Sequence, residues 1–243
     1  MDLKKEAARK AITFIKNGNT IGLGAGSTIA FMVEFLAEEV KKGAALKLLT
    51  SSFTTHQLLL QNGFTVQAIT DIAEIDIYFD GCDQFDKDLN ALKSGGGIHT
   101  REKLLASMAK QFILVGDEAK YSAQLTTAFP LVVELLPESY HYVLATIQKL
   151  FPAVKMTLRI SDKKDGAAIT ENGNYLIDCW FTNWPDLGLL NTQLKTITGV
   201  VETSLFYQLA DMAIIAGKDG VRILKKILNN LPVGINHHFK ICT

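Results

Sequence analysis

Thr20-Ile21-Gly22-Leu23-Gly24-Ala25-Gly26-Ser27-Thr28 is the stretch that decides the fold. A short apolar run breaks into closely spaced glycines, and from residue 28 to residue 40 apolar side chains return at helical spacing. Strand, tight loop and helix in that order make a βα unit. Working outward, Ala7, Ala8, Ala11, Ile12 and Ile15 keep a helical period until Asn17-Gly18-Asn19 breaks it. On the other side, strand-like residues 46–49 precede a helical 54–61. Residues 75–79 run as a strand into a loop, and a helical 101–109 precedes strand-like 112–115. Strands alternating with helices predict an α/β fold with a mostly parallel sheet and helices on both faces.

The texture changes after residue 129. Residues 131–135 read as a strand, 140–150 as a helix and 156–160 as a strand. A hairpin is centred on Asn172-Gly173, the pair that favours a type I′ turn. A helix over 187–197 and a strand over 200–205 complete a βαββαβ-like pattern, read as a smaller inserted α+β domain. The first texture then resumes with a strand at 212–216 and a terminal helix over 219–228. The expected organisation is a discontinuous large domain, 1–128 with 206–243, interrupted by a small one at 129–205.

Composition narrows the function classes. Lysine plus arginine and aspartate plus glutamate number 25 each, so there is no global field to attract nucleic acid or an anionic membrane, and any anion must be held locally. Cys82, Cys179 and Cys242 are too scattered for a disulfide framework, and no paired Cys/His spacing suggests zinc. With no apolar run long enough for a span and no signal-peptide core, the expectation is a cytoplasmic protein.

Three segments carry chemistry. The glycines at 22–26 lie where a strand ends and a helix begins, a place where free N–H groups and the helix dipole favour an anion such as phosphate. A βα turn capped by Ser27 or Thr28 is the plainer alternative. The spacing is not Gly-x-Gly-x-x-Gly, and no Walker lysine follows, which disfavours dinucleotides and nucleoside triphosphates. Second, the strand at 75–79 runs into Asp80-Gly81-Cys82-Asp83, at the sheet edge where α/β proteins bind ligands. The aspartates could equally cap a turn. Third, Lys93-Ser94-Gly95-Gly96-Gly97 sets a cation beside a pliable backbone, and Thr100-Arg101-Glu102-Lys103 opens a helix with Glu102 in its first turn. Two aspartates, a lysine and a glutamate so close together, interleaved with glycines, are dense for a purely structural stretch.

These motifs in this order resemble the ribose-5-phosphate isomerases of the A type over nearly the whole chain. Gly116-Asp117-Glu118-Ala119-Lys120, Asn172-Gly173-Asn174 and Asp219-Gly220-Val221 fit as well. The resemblance implies a Rossmann-like domain with a smaller α+β domain, and a cofactor-free, metal-free aldose-ketose isomerase of the non-oxidative pentose phosphate pathway that works as a homodimer or homotetramer. It implies that Glu102 moves a proton between C1 and C2 of the sugar. Asp80 and Asp83 would handle hydroxyl protons and ring opening, and Lys93 would stabilise the enediolate. Ser27, Thr28, Lys120 and Lys4 would bind phosphate or nearby oxygens, with Ala25, Gly26, Gly81, Cys82, Ser94, Gly95 and Gly96 also lining the substrate site.

The chain departs from the family at Ala25 (usually threonine), Gln84 (glutamate), Ser94 (glycine), and Glu202-Thr203-Ser204 before Leu205-Phe206. Cys82 reads as a packing residue, His99 as a helix start, and His56, His141, His237 and His238 as lacking partners. A non-catalytic sugar-phosphate binding module is the main rival. Coenzyme A transferases and amino-sugar isomerases share the broad fold, but their distinguishing segments are not apparent.

Overall fold

A computed structural model describes residues 2–226. The strands are β1 (Thr20–Leu23), β2 (Lys47–Thr50), β3 (Ile75–Asp80), β4 (Gln84–Phe85), β5 (Ala91–Leu92), β6 (Ala109–Asp117), β7 (Leu131–Leu135), β8 (Lys155–Leu158), β9 (Tyr175–Trp180), β10 (Val200–Thr203), β11 (Leu205–Phe206), β12 (Met212–Gly217) and β13 (Gly220–Lys225). The helices are α1 (Leu3–Ile12), α2 (Ser27–Lys41), α3 (Phe53–Gln61), α4 (His99–Met108), α5 (Tyr140–Leu150) and α6 (Leu187–Lys195).

The large sheet runs β13-β12-β6-β3-β1-β2, parallel except for β13. Side-chain alternation sorts its two faces. Ile21, Leu23, Ile77, Phe79, Ile113, Val115 and Ile214 pack with Ala7, Ala8 and Ala11 of α1 and with the apolar stripe of α2. Tyr78, Phe112, Leu114, Ala213 and Ile215 face the other way, onto Leu105 and Ala106 of α4 and onto Phe206. From β1 the chain goes to β2 on one side and later to β3 on the other, so the strand order reverses at β1. The crevice at the carboxyl ends of β1 and β3 is the place such a sheet offers a ligand. Two glycines make it. A Cβ at Gly22 would lie 2.7 Å from the Tyr78 ring, and one at Gly24 would lie 1.9 Å from the Asp80 carboxylate.

The second sheet, β10-β7-β9-β8, is antiparallel, and α5 and α6 pack on it over Leu131, Val133, Leu135, Ile177 and Cys179. This is the βαββαβ order expected. A third sheet, β11-β5-β4, is only two residues deep and carries the backbone into Lys93.

Two expectations are corrected. The described part of 219–228 is not helix but β13, paired antiparallel with β12 through a tight turn that has Gly220 at φ +102°. Its alternation was short enough to pass for a helical stripe. At the Asn172-Gly173 hairpin only Gly173 has positive φ, 81°, and its N–H donates to the Thr170 carbonyl at 2.9 Å. That is a type I turn followed by a left-handed glycine, not type I′. His237, His238 and Cys242 lie outside the described residues.

Candidate active site

A cavity of about 280 Å³ opens at the carboxyl edge of the large sheet, between β1, β3 and β6. The β1–α2 turn supplies Ala25, Gly26, Ser27 and Thr28. The α2 N-cap is Gly26 at φ +98°, and no side chain caps the helix. The capped-turn alternative is therefore not what forms, and the first-turn N–H groups are left for an anion. Lys4 of α1 and Lys120, in the turn after β6, stand at the same wall.

The opposite wall carries the ionisable groups. Lys93 is buried, with Nζ 2.9 Å from Asp80 Oδ2 and 3.2 Å from Glu102 Oε1, and it donates to the Gly81 carbonyl. Burial opposes its charge, but Asp80 and Glu102 prevail and its pKa is raised. Glu102 is pushed up to about 8, by burial first, with Lys93 opposing and Asp80 and Asp83 adding to the rise. A carboxylate of that proton affinity, facing a cavity, is suited to take a weakly acidic proton near neutral pH.

The two aspartates divide. Asp83 lines the cavity. Its Oδ2 accepts the amides of Ser94 at 2.6 Å and Gly95 at 3.0 Å, so these two bonds do not occupy Oδ1. Asp80, expected to handle hydroxyl protons, is fully buried behind the cavity wall. Its oxygens already accept from Ala25 N, Gly81 N and the Tyr78 hydroxyl (3.1, 2.8 and 2.6 Å) besides Lys93. It is placed to orient Lys93 and the β1–α2 turn. Ser94 and Gly95, expected at the substrate, also lie off the cavity lining. Ser94 Oγ donates to the Pro130 carbonyl at 2.5 Å, so the departure from glycine is used in packing. Gly81, Cys82 and Gly96 do line the cavity. Burial pushes the Cys82 thiol up to about 12, consistent with packing and not nucleophilic use.

Val115, Gly116 and Asp117 also line the cavity; Gly116 and Asp117 entered the sequence reading only within a family motif, and Val115 only in a strand, none of them as site residues. The signal was available, since Gly116-Asp117 ends a strand as Phe79-Asp80 does, but only the adjacency of β6 to β3 brings them together. Gln84 faces away from the site, exchanging hydrogen bonds with Thr126. His99 is buried against the Glu202 carbonyl and held down to about 4, by burial and then Lys103. Among the described residues no group of three or more His, Cys, Asp or Glu is placed to hold a metal, and no helix is long and apolar enough to cross a membrane.

The sequence model of ribose 5-phosphate isomerase A (phosphoriboisomerase A) matches residues 47–220. The chain belongs to the ribose 5-phosphate isomerase A family. A family member from Prochlorococcus marinus, named ribose-5-phosphate isomerase A, is 38% identical over 93% of this chain and 98% of its own. One of the same name from Methanothermobacter thermautotrophicus is 36% identical over 93% and 98%. Among solved structures, ribose 5-phosphate isomerase A of Methanocaldococcus jannaschii superposes with a TM-score of 0.85 at 32% identity, over 92% of this chain and 98% of that one. A D-ribose-5-phosphate isomerase in complex with phospho-erythronic acid gives 0.86 at 32%, over 93% and 100%. Family membership accounts for the fold found here.

Proposed function

We propose that the chain interconverts D-ribose 5-phosphate and D-ribulose 5-phosphate by proton transfer through an enediolate. The observation that carries this reading is the buried Glu102–Lys93 pair, 3.2 Å apart and facing the same cavity as the uncapped start of α2. The phosphate rests on the amides and hydroxyls of Ser27 and Thr28, with Lys4 and Lys120 supplying charge. Glu102 takes the proton from C2 of the open-chain aldose while the electron pair moves through the new C1–C2 double bond to O1. Lys93 stabilises that oxygen. Asp83, through Oδ1, carries the O2 hydroxyl proton toward O1, and Glu102 returns its proton to C1, leaving the ketone at C2. Asp80 keeps Lys93 in place.

A binding module of the same fold would have no need of a raised carboxylate against a lysine, and this favours the enzyme. The bound phospho-erythronic acid of the related structure supports a sugar-phosphate ligand. We further read residues 1–128 with 206–243 as the catalytic domain and 129–205 as the smaller one, and propose a cytoplasmic homodimer or homotetramer. The test is conversion of ribose 5-phosphate by the purified protein with and without EDTA. Equal turnover in both is expected, because Lys93 supplies the positive charge. Activity lost on chelation and restored by added metal would refute that part, and no conversion in either would refute the isomerase reading.

A further inference from the structure

The loop bearing Lys93 is gripped from two sides. Asp83 takes the N–H groups of Ser94 and Gly95. The carbonyls of the same two residues meet a side chain from the antiparallel sheet. Arg159, directly after β8, donates from Nη2 to the Ser94 oxygen at 2.9 Å and from Nη1 to the Gly95 oxygen at 3.3 Å. Its remaining hydrogen bonds go to Asp178 on β9, at 3.3 Å from Nε and 2.5 Å from Nη2. Both side chains are about four-fifths buried, at 20% and 19% exposure.

The segment needs such a grip. Three successive glycines, Gly95 to Gly97, follow the lysine, and each has wide backbone freedom. Yet Lys93 Nζ must stay within hydrogen-bond reach of Asp80 and Glu102 at once. The loop also runs close against the antiparallel sheet, since a Cβ at Gly97 would lie 3.0 Å from Leu176 and 3.9 Å from Arg159 Nη1. A planar guanidinium already fixed by Asp178 can hold two consecutive carbonyls with its outer edge. An ammonium, a single point of charge on a flexible stem, cannot span them and the carboxylate together.

We propose that Arg159, oriented by Asp178, is a positioning residue that locks the Lys93 loop and thereby sets the lysine that stabilises the enediolate. Nothing in its sequence context marks it, and it lies outside the cavity. The inference rests on the isomerase reading above. Because Lys93 acts on charge that develops during reaction, loosening it should lower kcat and leave KM nearly alone.

The experiment measures ribose 5-phosphate isomerisation by the full-length wild type, Arg159→Ala and Arg159→Lys, together with thermal unfolding. Arg159→Ala should lose about 10- to 100-fold in kcat with KM within about threefold. Millimolar guanidinium should restore at least fivefold of that loss saturably, without affecting wild type. Arg159→Lys, which keeps a cation against Asp178 and so protects folding if the alanine variant is unstable, should still lose most of the rate. A kcat within threefold of wild type in either variant would overturn the proposal. So would a loss that only follows the folded fraction and is not lifted by guanidinium. An inactive wild type would instead remove the isomerase reading on which the inference stands.

Discussion

Glu102 and Glu134 are both buried carboxylates, one carried by α4 and the other pressed against α4 from β7, and their proton affinities move in opposite directions. Glu134 accepts from the hydroxyls of Thr100 and Thr170 and from the amides of Asn172 and Asn174, and these donors outweigh burial and lower its pKa. The next carboxylate on that side, Glu202, is likewise lowered despite burial, by Lys103, Lys195 and the Thr203 amide. Glu102 is given Lys93 alone and then an open cavity, and it rises to about 8. What differs most plainly is the donors: four hydrogen-bond donors reach Glu134, three reach the half-buried Glu202, and Lys93 alone reaches Glu102. All three meet α4: Glu102 on the helix lines the cavity, while Thr100 and Lys103 of the same helix reach Glu134 on β7 and Glu202 on β10.

The largest effect that would break this comparison is on turnover. Glu102→Gln keeps the shape of the side chain but cannot accept the proton. It should cost about 10²- to 10⁴-fold in kcat while substrate binding stays within about tenfold. Near-wild-type turnover would remove Glu102 as the base. In the wild type, kcat/KM should climb as Glu102 loses its proton, with a midpoint near pH 8.

Stability should show the mirror image. Glu134→Gln removes the charge and replaces one of two oxygens that between them accept from four donors, and it should destabilise by about 2–4 kcal/mol at pH 7, lowering Tm by roughly 5–10 °C, with kcat changed less than threefold. The pH dependences have opposite sign. Glu102 binds its proton more tightly folded than unfolded, so its contribution is complete below its ordinary 4.5 and is lost as pH rises toward about 8. Glu134, with a lowered pKa, contributes above 4.5 and loses that contribution as pH falls through its folded pKa. Denaturant melts at pH 3, pH 5 and pH 9 should therefore find Glu102→Gln gaining on wild type between pH 5 and pH 9, and the deficit of Glu134→Gln shrinking between pH 5 and pH 3. Parallel pH profiles for the two variants would erase the distinction drawn between them.

This contrast was only half visible in the sequence. Asp80, Asp83, Lys93 and Glu102 lie close together along the chain, the Gly-rich turn is a contiguous motif of its own, and the alternation of strands and helices gave the main sheet. Glu134, Glu202 and Arg159 act across separations of 34, 99 and 65 residues, on Thr100, Lys103 and Ser94, and no local pattern announces such pairs. Strands β4, β5 and β11 are two residues each, too short for a period of two to register. The place of Asp80 at a strand end left a turn cap and a substrate carboxylate equally open, and its hydroxyl-proton role came from the family resemblance. Only the packed structure shows Gly24 yielding its Cβ space to that carboxylate, so that it turns inward.

The smallest effect sharpens the comparison at the binding end of the cavity. Ala25 lines the site with its N–H committed to Asp80 at 3.1 Å, and it is not among the residues of positive φ, so a β-branched side chain is compatible with its backbone. Relatives of this family usually carry threonine there, and the turn around Ala25 keeps the rest of its glycine pattern. Ala25→Thr would return one hydroxyl next to the uncapped start of α2, where the phosphate is proposed to sit. One hydrogen bond to substrate is worth about 0.5–1.5 kcal/mol, so KM should fall roughly two- to tenfold. Because that bond forms alike in ground and transition states, and because Glu102, Lys93 and Asp83 are untouched, kcat should change less than threefold, the mark of uniform binding. Steady-state kinetics on both forms decides it. An unchanged or higher KM in a stably folded variant would mean that the hydroxyl does not reach the ligand, and that the β1–α2 turn holds the sugar phosphate through backbone amides alone.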